Sequence, residues 1–199
     1  MDKAIHRHPR EIIERLIPEI SGVLCADEMM VKVGGKWRWL WSIMDKETRF
    51  LLASHISAER RTQDARRLFQ KAKKRIREQR VEEVITDGLR AYQRAFKKEF
   101  YTLRGPRTKH TRHIRLNGNP NNNLIERLQG TRRERDKVLR GMKIEDTPIV
   151  RGFDIYYNFI RPHMALNGKT PAAGMELELG KNRWYGLIRK AVGHPRFAS

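Results

Sequence analysis

The chain has 199 residues, of which 39% are hydrophobic and 33% are charged, and its formal net charge at pH 7 is +20. This length suits one globular domain with a substantial core, and the positive charge favours a polyanionic partner because Lys and Arg neutralise phosphates. No apolar run is long enough to span a bilayer and no signal peptide is recognisable, so we expect a cytoplasmic protein without a membrane partner. The single cysteine, Cys25, excludes an internal disulfide and a Cys-rich zinc site.

Hydrophobic periodicity divides the chain into predicted strands and helices. In chain order, these elements are a helix at 9–20, strands at about 22–32, 37–45 and 48–57, a helix at 62–79, a strand at 81–88, a helix at 89–100, a strand at 109–116, and helices at about 122–137, 145–160 and 183–191. Gly34 and Gly35 separate the first two strands, which is a hairpin signal. Thr62 is the expected N-cap of the helix that begins there.

The order of these elements predicts an α/β fold. A helix between the third and fourth strands implies a crossover, which lets the fourth strand lie parallel beside the first. We therefore expect a mixed sheet, with three antiparallel strands plus parallel strands, flanked by helices. The expected division of the chain is an N-terminal helix and linker at 1–21, a main domain at 22–175 and a C-terminal tail at 176–199.

Two aspartates occupy positions that this strand order brings together. Asp27 lies in the middle of the first strand, and Asp87 ends the fourth. Carboxylates a few Å apart repel each other unless a cation lies between them, and Mg²⁺ takes carboxylate oxygens while it keeps waters and binds phosphate. Two such ions can activate a nucleophilic oxygen and stabilise the leaving oxygen of a phosphodiester. Glu126 is the leading candidate for a third acid, because its helix follows the sheet and could bring it to the strand ends.

A structural role is the alternative interpretation of these acids. The stretch "TDG" is a common turn, so Asp87 taken singly favours a turn acid. Asp27 is harder to explain in this way, because its strand face also carries the apolar residues Cys25 and Met29. Glu28 points to the opposite face, and we expect it to be exposed or to form a salt bridge.

Three blocks of the sequence resemble the acid-bearing blocks of DDE transposases from bacterial and archaeal insertion sequences: "DEMMVKVGGKWRWLWSIMD", "ITDGLRAY" and "NNNLIERLQGTRRERDKVLRGMK". The resemblance covers roughly residues 22–175 and implies the RNase H-like fold of the retroviral-integrase-like superfamily. It also implies that Asp27, Asp87 and Glu126 form the catalytic, metal-binding triad, with Mg²⁺ as cofactor and Mn²⁺ as its substitute. The implied reaction is DNA cleavage at transposon ends and strand transfer by a 3′-hydroxyl, in a nucleoid-associated homodimer or larger assembly.

Basic residues follow the third acid at helical spacing. Relatives in this family often carry Lys or Arg two helical turns after the catalytic Glu, and Arg133 stands seven residues after Glu126 here. Gln129, Gly130, Arg133 and Lys137 share the helix face of Glu126, so we expect Arg133 and Lys137 to contact duplex DNA. A solvated surface charge is the alternative for each. A second basic cluster is expected to bind the DNA backbone without reading sequence: Arg104, Arg107, Lys109, Arg112 and Arg115.

Two features depart from the family pattern. The separation of 39 residues between Asp87 and Glu126 is a few residues longer than usual, and the extra length falls in the loop "LNGNPNNN". Such transposases usually carry a helix-turn-helix region that recognises the transposon end, whereas only about 20 residues precede the first strand here. Recognition of a specific end sequence by this chain alone is therefore an open question at this point.

Several other residues favour structural roles, and other functions compete with transposition. The alternating Trp37, Trp39 and Trp41 are expected to pack in the core, with base stacking as the minority alternative. His163 is expected to be a structural residue at a helix end. The competing functions are another RNase H-like nuclease with the same metals, and a non-catalytic or decayed DNA-binding module. Three intact acids argue against decay.

Overall fold

The computed structural model describes the following residues: 13, 16–103, 105–113, 123–139, 142–175, 177 and 179–192. The strands are β1 (Val23–Val33), β2 (Lys36–Asp45), β3 (Leu51–Ser57), β4 (Glu83–Asp87) and β5 (Lys109–His113). The helices are α1 (Thr62–Ile76), α2 (Arg90–Glu99), α3 (Asn123–Leu139), α4 (Pro148–Ile155) and α5 (Arg183–Val192). In this described part of the chain, no helix combines the length and the apolar composition that a bilayer span requires.

The five strands form one mixed sheet in the order β3-β2-β1-β4-β5. β1 and β3 each pair with β2 in the antiparallel direction, whereas β4 pairs with β1 and β5 in the parallel direction. The β1–β2 turn is made by Gly34 and Gly35, whose φ angles are 54° and 78°, a region that suits glycine. The predicted hairpin, crossover and parallel fourth strand are therefore confirmed, and with them the predicted fold class.

Helices cover both faces of the sheet. One face packs against α1 and α2 through a core that includes Leu24, Trp41, Leu68, Phe69 and Tyr92. The other face packs against α3 and α4 through two smaller clusters, which include Cys25, Ile85, Ile125, Leu128 and Phe153 in one and Met29, Val31, Leu40, Met142 and Val150 in the other. Because side chains alternate along a strand, consecutive residues of β1 contribute to opposite layers.

The helix ends differ in detail from the sequence-based expectations. Arg61, and not Thr62, is the N-cap of α1, because the Asp64 carboxylate accepts a hydrogen bond from the Arg61 backbone N–H at 3.1 Å. The helix predicted at 145–160 begins at Pro148 after the N-cap Thr147, and it continues beyond α4 as a π-helical turn, Tyr156–Ile160. Residues 16–20 are not helical, and most of the predicted helix at 9–20 lies outside the described residues, as do residues 114–122.

Candidate metal-binding active site

The parallel pairing of β1 with β4 brings two predicted site residues together. The register places Cys25 opposite Ile85, so Asp27 and Asp87 follow two residues later on adjacent strands. Carboxylate oxygens of Asp27, Asp87 and the neighbouring Glu28 all lie within 4.8 Å of one another. We call these three residues the acid cluster. A cluster this tight combines strong mutual repulsion with a ligand set suited to a hard divalent cation.

Glu28 and Arg60 were not predicted as site residues. Glu28 is only 7% exposed, and its Oε1 accepts a hydrogen bond from Nε of Arg60 at 2.5 Å. Arg60, in the loop between β3 and α1, also lies 3.3 Å from Oδ2 of Asp87. The expected salt bridge of Glu28 is therefore confirmed, but the residue is buried and not solvated. A loop arginine carries no pattern in the sequence that would link it to an acid in a distant strand.

The charge balance of the acid cluster is incomplete. Burial, followed by the Glu28 charge, raises the pKa of Asp27 to about 7, with a further contribution from Asp87. Burial and the Asp87 charge likewise raise the pKa of Glu28, while Arg60 opposes this rise. The buried Tyr92 hydroxyl interacts with the Glu28 carboxylate and lowers its pKa, but this neutral group brings no positive charge to the site. Among the described residues, Arg60 thus pairs with two of the three carboxylates and leaves Asp27 without a cation, so the residues fit an additional cation.

Protein groups orient the two aspartates. Gln129 of α3 donates through Nε2 to Oδ2 of Asp27 at 2.7 Å and to the backbone carbonyl of Glu28 at 3.2 Å. Oδ1 of Asp87 accepts from the Leu89 backbone N–H at 2.9 Å, just before α2 begins. Asp87 therefore also makes the turn bond that its "TDG" context favours. Both side chains retain carboxylate oxygens in the acid cluster.

Glu126 lies in the first turn of α3, where it is exposed, and it is not a member of the acid cluster. Its helix nevertheless approaches the site, since Gln129 is one turn further along α3 and contacts Asp27. Arg133, another turn on, lines an open cleft of about 570 Å³ together with all three acids and Arg60. The structure therefore brings Asp27, Asp87 and Arg133 into one cleft and leaves Glu126 outside it.

The other predicted DNA-binding residues are spread around this site. Lys137 is exposed, pairs with Glu134 at 2.8 Å and is not among the residues that line the cleft. Arg112 of β5 donates to the backbone carbonyl of Gly88 at 3.0 Å, which places it beside Asp87. Lys109 lies 3.3 Å from Glu83. Arg104 and Arg115 lie outside the described residues.

A buried arginine fixes α3 against the sheet. Arg132 is 4% exposed and donates to Ser42 at 2.6 Å, to Ser54 at 2.7 Å and to Asp154 at 2.5 Å. These bonds tie α3 to β2, β3 and α4 at once. Arg132 stands next to the exposed Arg133 in a run of charged residues, and the sequence does not distinguish the two. Only the burial of Arg132 in the structure shows that its role is structural.

An RNase H-like α/β domain with an acid cluster on its adjacent parallel strands β1 and β4 defines a class of nucleic-acid-processing enzymes. A family model described as a DDE domain, of the IS240 type of transposase, matches residues 23–163. The chain belongs to this family. It is a catalytic domain of the DDE transposase and integrase type. No curated protein sequence matches the chain.

Solved structures support the same fold. The simian T-cell lymphotropic virus intasome in complex with PP2A regulatory subunit B56 gamma matches with a TM-score of 0.60 and 16% identity, over 81% of this chain and 55% of that chain. The HTLV-2 integrase catalytic core domain in complex with magnesium matches in its dimeric form with a TM-score of 0.54 and 11% identity, over 81% of this chain and 97% of that one. The trimeric form of the same core domain matches with a TM-score of 0.53 and 16% identity, over 79% of this chain and 97% of that one.

Proposed function

We propose that this domain is a divalent-metal-dependent DNA transposase that cleaves DNA at transposon ends and joins the freed 3′-hydroxyl to target DNA. The observation that carries the proposal is the acid cluster, in which three carboxylates lie within 4.8 Å of one another and one arginine pairs with two of them, inside a cleft of a strongly basic protein. A non-catalytic DNA-binding protein would gain nothing from concentrated negative charge beside phosphates. A site that holds cations explains both the acids and the surrounding basic residues.

Asp27 and Asp87 would hold the metal, which we expect to be Mg²⁺ with Mn²⁺ as a substitute, and Glu126 would complete the triad. A bound divalent cation would lower the pKa of a nucleophilic hydroxyl and stabilise charge on the leaving oxygen. Gln129 supports this assignment, because its bond to Oδ2 of Asp27, together with the bond from the Glu28 backbone N–H to Oδ1 at 2.9 Å, holds the carboxylate in one orientation toward the other acids. Asp87 is fixed in a similar way by Leu89.

The basic residues of the cleft would position the DNA. Arg133 lines the cleft that contains the acids, so its guanidinium is placed to bind a phosphate next to the one that reacts. Arg112 lies beside Asp87 and would bind the backbone on the β5 side. The intasome and the integrase oligomers matched above are assemblies of related fold, and we propose that this domain also acts as a homodimer or larger assembly on duplex DNA.

Metal binding is tested by thermal melting of the wild type with Mg²⁺, with Mn²⁺ and with EDTA. A ligand at 100 times its dissociation constant stabilises the folded state by about 2.7 kcal/mol, so the melting temperature should rise with either metal. Asp27→Asn should remove this rise. A rise that persists in Asp27→Asn would place the metal elsewhere, and no rise in the wild type would contradict a metal site in the acid cluster.

Glu28 and Glu126 compete for the place of the third acid, and a matched pair of variants separates them. We expect Glu126→Gln to abolish Mg²⁺-dependent nicking and joining of transposon-end DNA. Glu28→Gln should retain it, because the proposed triad does not include Glu28, whose carboxylate Arg60 holds at a shorter distance than that of Asp87. The reverse pattern would show that the acid cluster itself is the complete ligand set.

Binding of duplex DNA through phosphates predicts a steep salt dependence. With about 6–10 phosphate contacts, affinity should fall by roughly 10³–10⁵ between 50 and 200 mM salt. Fluorescence anisotropy with a labelled duplex measures this fall. A nearly flat dependence would contradict a phosphate-dominated interface.

A further inference from the structure

The three alternating tryptophans of β2 lie on one face of the sheet but in three different environments. Trp41 is fully buried in the core, and Trp39 is partly buried with the guanidinium of Arg60 stacked 4.8 Å from its ring centroid. Trp37 is 60% exposed. The predicted core packing is therefore confirmed for Trp41 and wrong for Trp37. The reason is that the β1–β2 hairpin extends beyond the helix layer that covers Trp41.

The exposed face of this hairpin is unusually apolar. Met30, which pairs with Trp39 across the two strands, is itself 47% exposed. In an antiparallel hairpin with one packed face, the solvent face normally carries polar residues. Together with Trp37 and Trp39, Met30 forms what we call the indole platform. A contiguous exposed apolar surface of this kind is typical of a site that binds a ligand or another macromolecule.

The indole platform is held rigidly from behind. The opposite face of the same hairpin packs in the cluster that contains Met29, Val31, Leu40 and Met142. At the tip, the Gly34 backbone N–H donates to the Met142 carbonyl at 2.7 Å. The exposed indole of Trp37 is therefore presented on a fixed strand, so a ligand would lose little binding energy to ordering this surface.

All three platform residues line the same open cleft as the acid cluster, Arg60 and Arg133. A ligand that fills this cleft must offer flat apolar groups to the indoles and negative charge to the arginines. An unpaired stretch of nucleic acid has both properties, since its bases stack on aromatic rings while its phosphates pair with basic residues. We propose that the indole platform binds an unpaired nucleobase of the DNA strand that flanks the reacting phosphate. This inference rests on the proposed DNA function for its choice of ligand.

The test compares two DNAs in EDTA, where no metal-dependent chemistry occurs. One is a blunt duplex, and the other is the same duplex with a short unpaired end. By fluorescence anisotropy, wild type should bind the unpaired end more tightly. Trp37→Ala should weaken binding of the unpaired end by roughly 5- to 150-fold, the effect expected for loss of one base–aromatic stack, and leave blunt-duplex affinity unchanged. Trp37→Phe should keep most of the affinity.

The matched control is Trp184→Ala. Trp184 is 45% exposed but lines a different cavity, between α3 and α4, so its loss should leave both affinities unchanged. Equal loss on both DNAs in Trp37→Ala, or no loss on either, would overturn the proposal. So would a change in oligomeric state of Trp37→Ala by light scattering, which would identify the platform as a protein interface.

A photocrosslink makes the assignment direct. 5-Iodouracil in the unpaired end should crosslink to Trp37, and mass spectrometry of the peptide identifies the residue. Crosslinks confined to residues outside the cleft would overturn the proposal. Because both measurements are made without metal, they stand if Asp27→Asn shows that the proposed cleavage chemistry is wrong, and they can fail while that chemistry is right.

Discussion

Two sites in this molecule pair an arginine with buried or partly buried carboxylates, and their charges are balanced in opposite ways. In the first, Arg132 meets one carboxylate, Asp154, and its remaining donors are taken by Ser42 and Ser54. In the acid cluster, Arg60 pairs with Glu28 and Asp87, while the third carboxylate, Asp27, lies within 4.8 Å of both without an ion pair to Arg60. A structural ion pair is complete within the protein, whereas a site that receives a cation is left short of positive charge. This contrast supports the proposal that the acid cluster receives a cation and that Arg132 and Asp154 have a structural role.

The largest expected effect comes from making the same Asp→Asn substitution at each of the two sites and comparing DNA cleavage with stability. Asp87→Asn should reduce Mg²⁺-dependent DNA cleavage to background without lowering stability, because it relieves repulsion in the acid cluster. Asp154→Asn should keep cleavage but lower the free energy of unfolding by about 1–3 kcal/mol, because it weakens the bond to a buried arginine. Nicking assays and urea denaturation measure the two effects. Cleavage by Asp87→Asn at the wild-type rate would remove Asp87 from the active site.

The unbalanced charge also predicts a pH dependence of the metal-free protein. The pKa of Asp27 is about 7 in the folded state against 3.8 for an ordinary aspartate, so between these values the folded state binds more protons than the unfolded state. Proton binding to Asp27 therefore stabilises the folded state. The stabilisation is fully present below about pH 4 and is lost as the pH rises through about 7. Relative to Asp27→Asn, the wild type should therefore lose up to about 4 kcal/mol across this window. Urea denaturation in EDTA at several pH values measures the difference, and a constant difference would contradict the raised pKa.

Breaking the balanced site should cost stability. Arg132→Met removes the cation that Asp154 and two serines share, and should lower the free energy of unfolding by about 3 kcal/mol. The adjacent, exposed Arg133 provides the control, since Arg133→Met should leave stability unchanged. If both variants melted at the wild-type temperature, Arg132 would not be the residue that fixes α3.

The smallest expected effect sharpens the role of Arg133. Arg133→Ala should reduce the slope of log affinity against log salt by about one, as for the loss of one phosphate contact, and should weaken strand transfer. Lys137→Ala tests whether the same helix face reaches further along the DNA. An unchanged slope in Arg133→Ala would show that this side chain lines the cleft without touching phosphate.

Much of the fold could be predicted because its signals are local. The Gly34-Gly35 turn, the alternation in β1 and the amphipathic pattern of α1 each lie within a short window, and their order implied the parallel pairing of β4 with β1. Element ends were less predictable. Arg61 replaces Thr62 as N-cap because Asp64, three residues on, supplies the bond that decides the position.

The candidate site likewise contains residues that the sequence predicted and residues that it did not. Asp27 and Asp87 were predictable, because strand register alone brings them together, and so was the alignment of Arg133 with Gln129 on one helix face. The membership of Glu28 was not, because alternation along a strand assigns it to the opposite face, and only the tertiary structure shows its carboxylate within 4.8 Å of those of Asp27 and Asp87. The assignment of Glu126 stays a prediction.

The sequence by itself determined the order of strands and helices, the basic character of the surface and the positions of the acids, since these depend on residue type and short-range spacing. Tertiary structure decided which charges are balanced and which aromatic rings are covered. Arg60 and Glu28 are 32 residues apart, Arg132 and Asp154 are 22 apart, and nothing in either segment encodes the partner. The three tryptophans share one pattern in the sequence, yet only the reach of the helix layer buries Trp41 and exposes Trp37. Burial and long-range pairing arise from the packing of whole elements, and a local pattern carries no record of them.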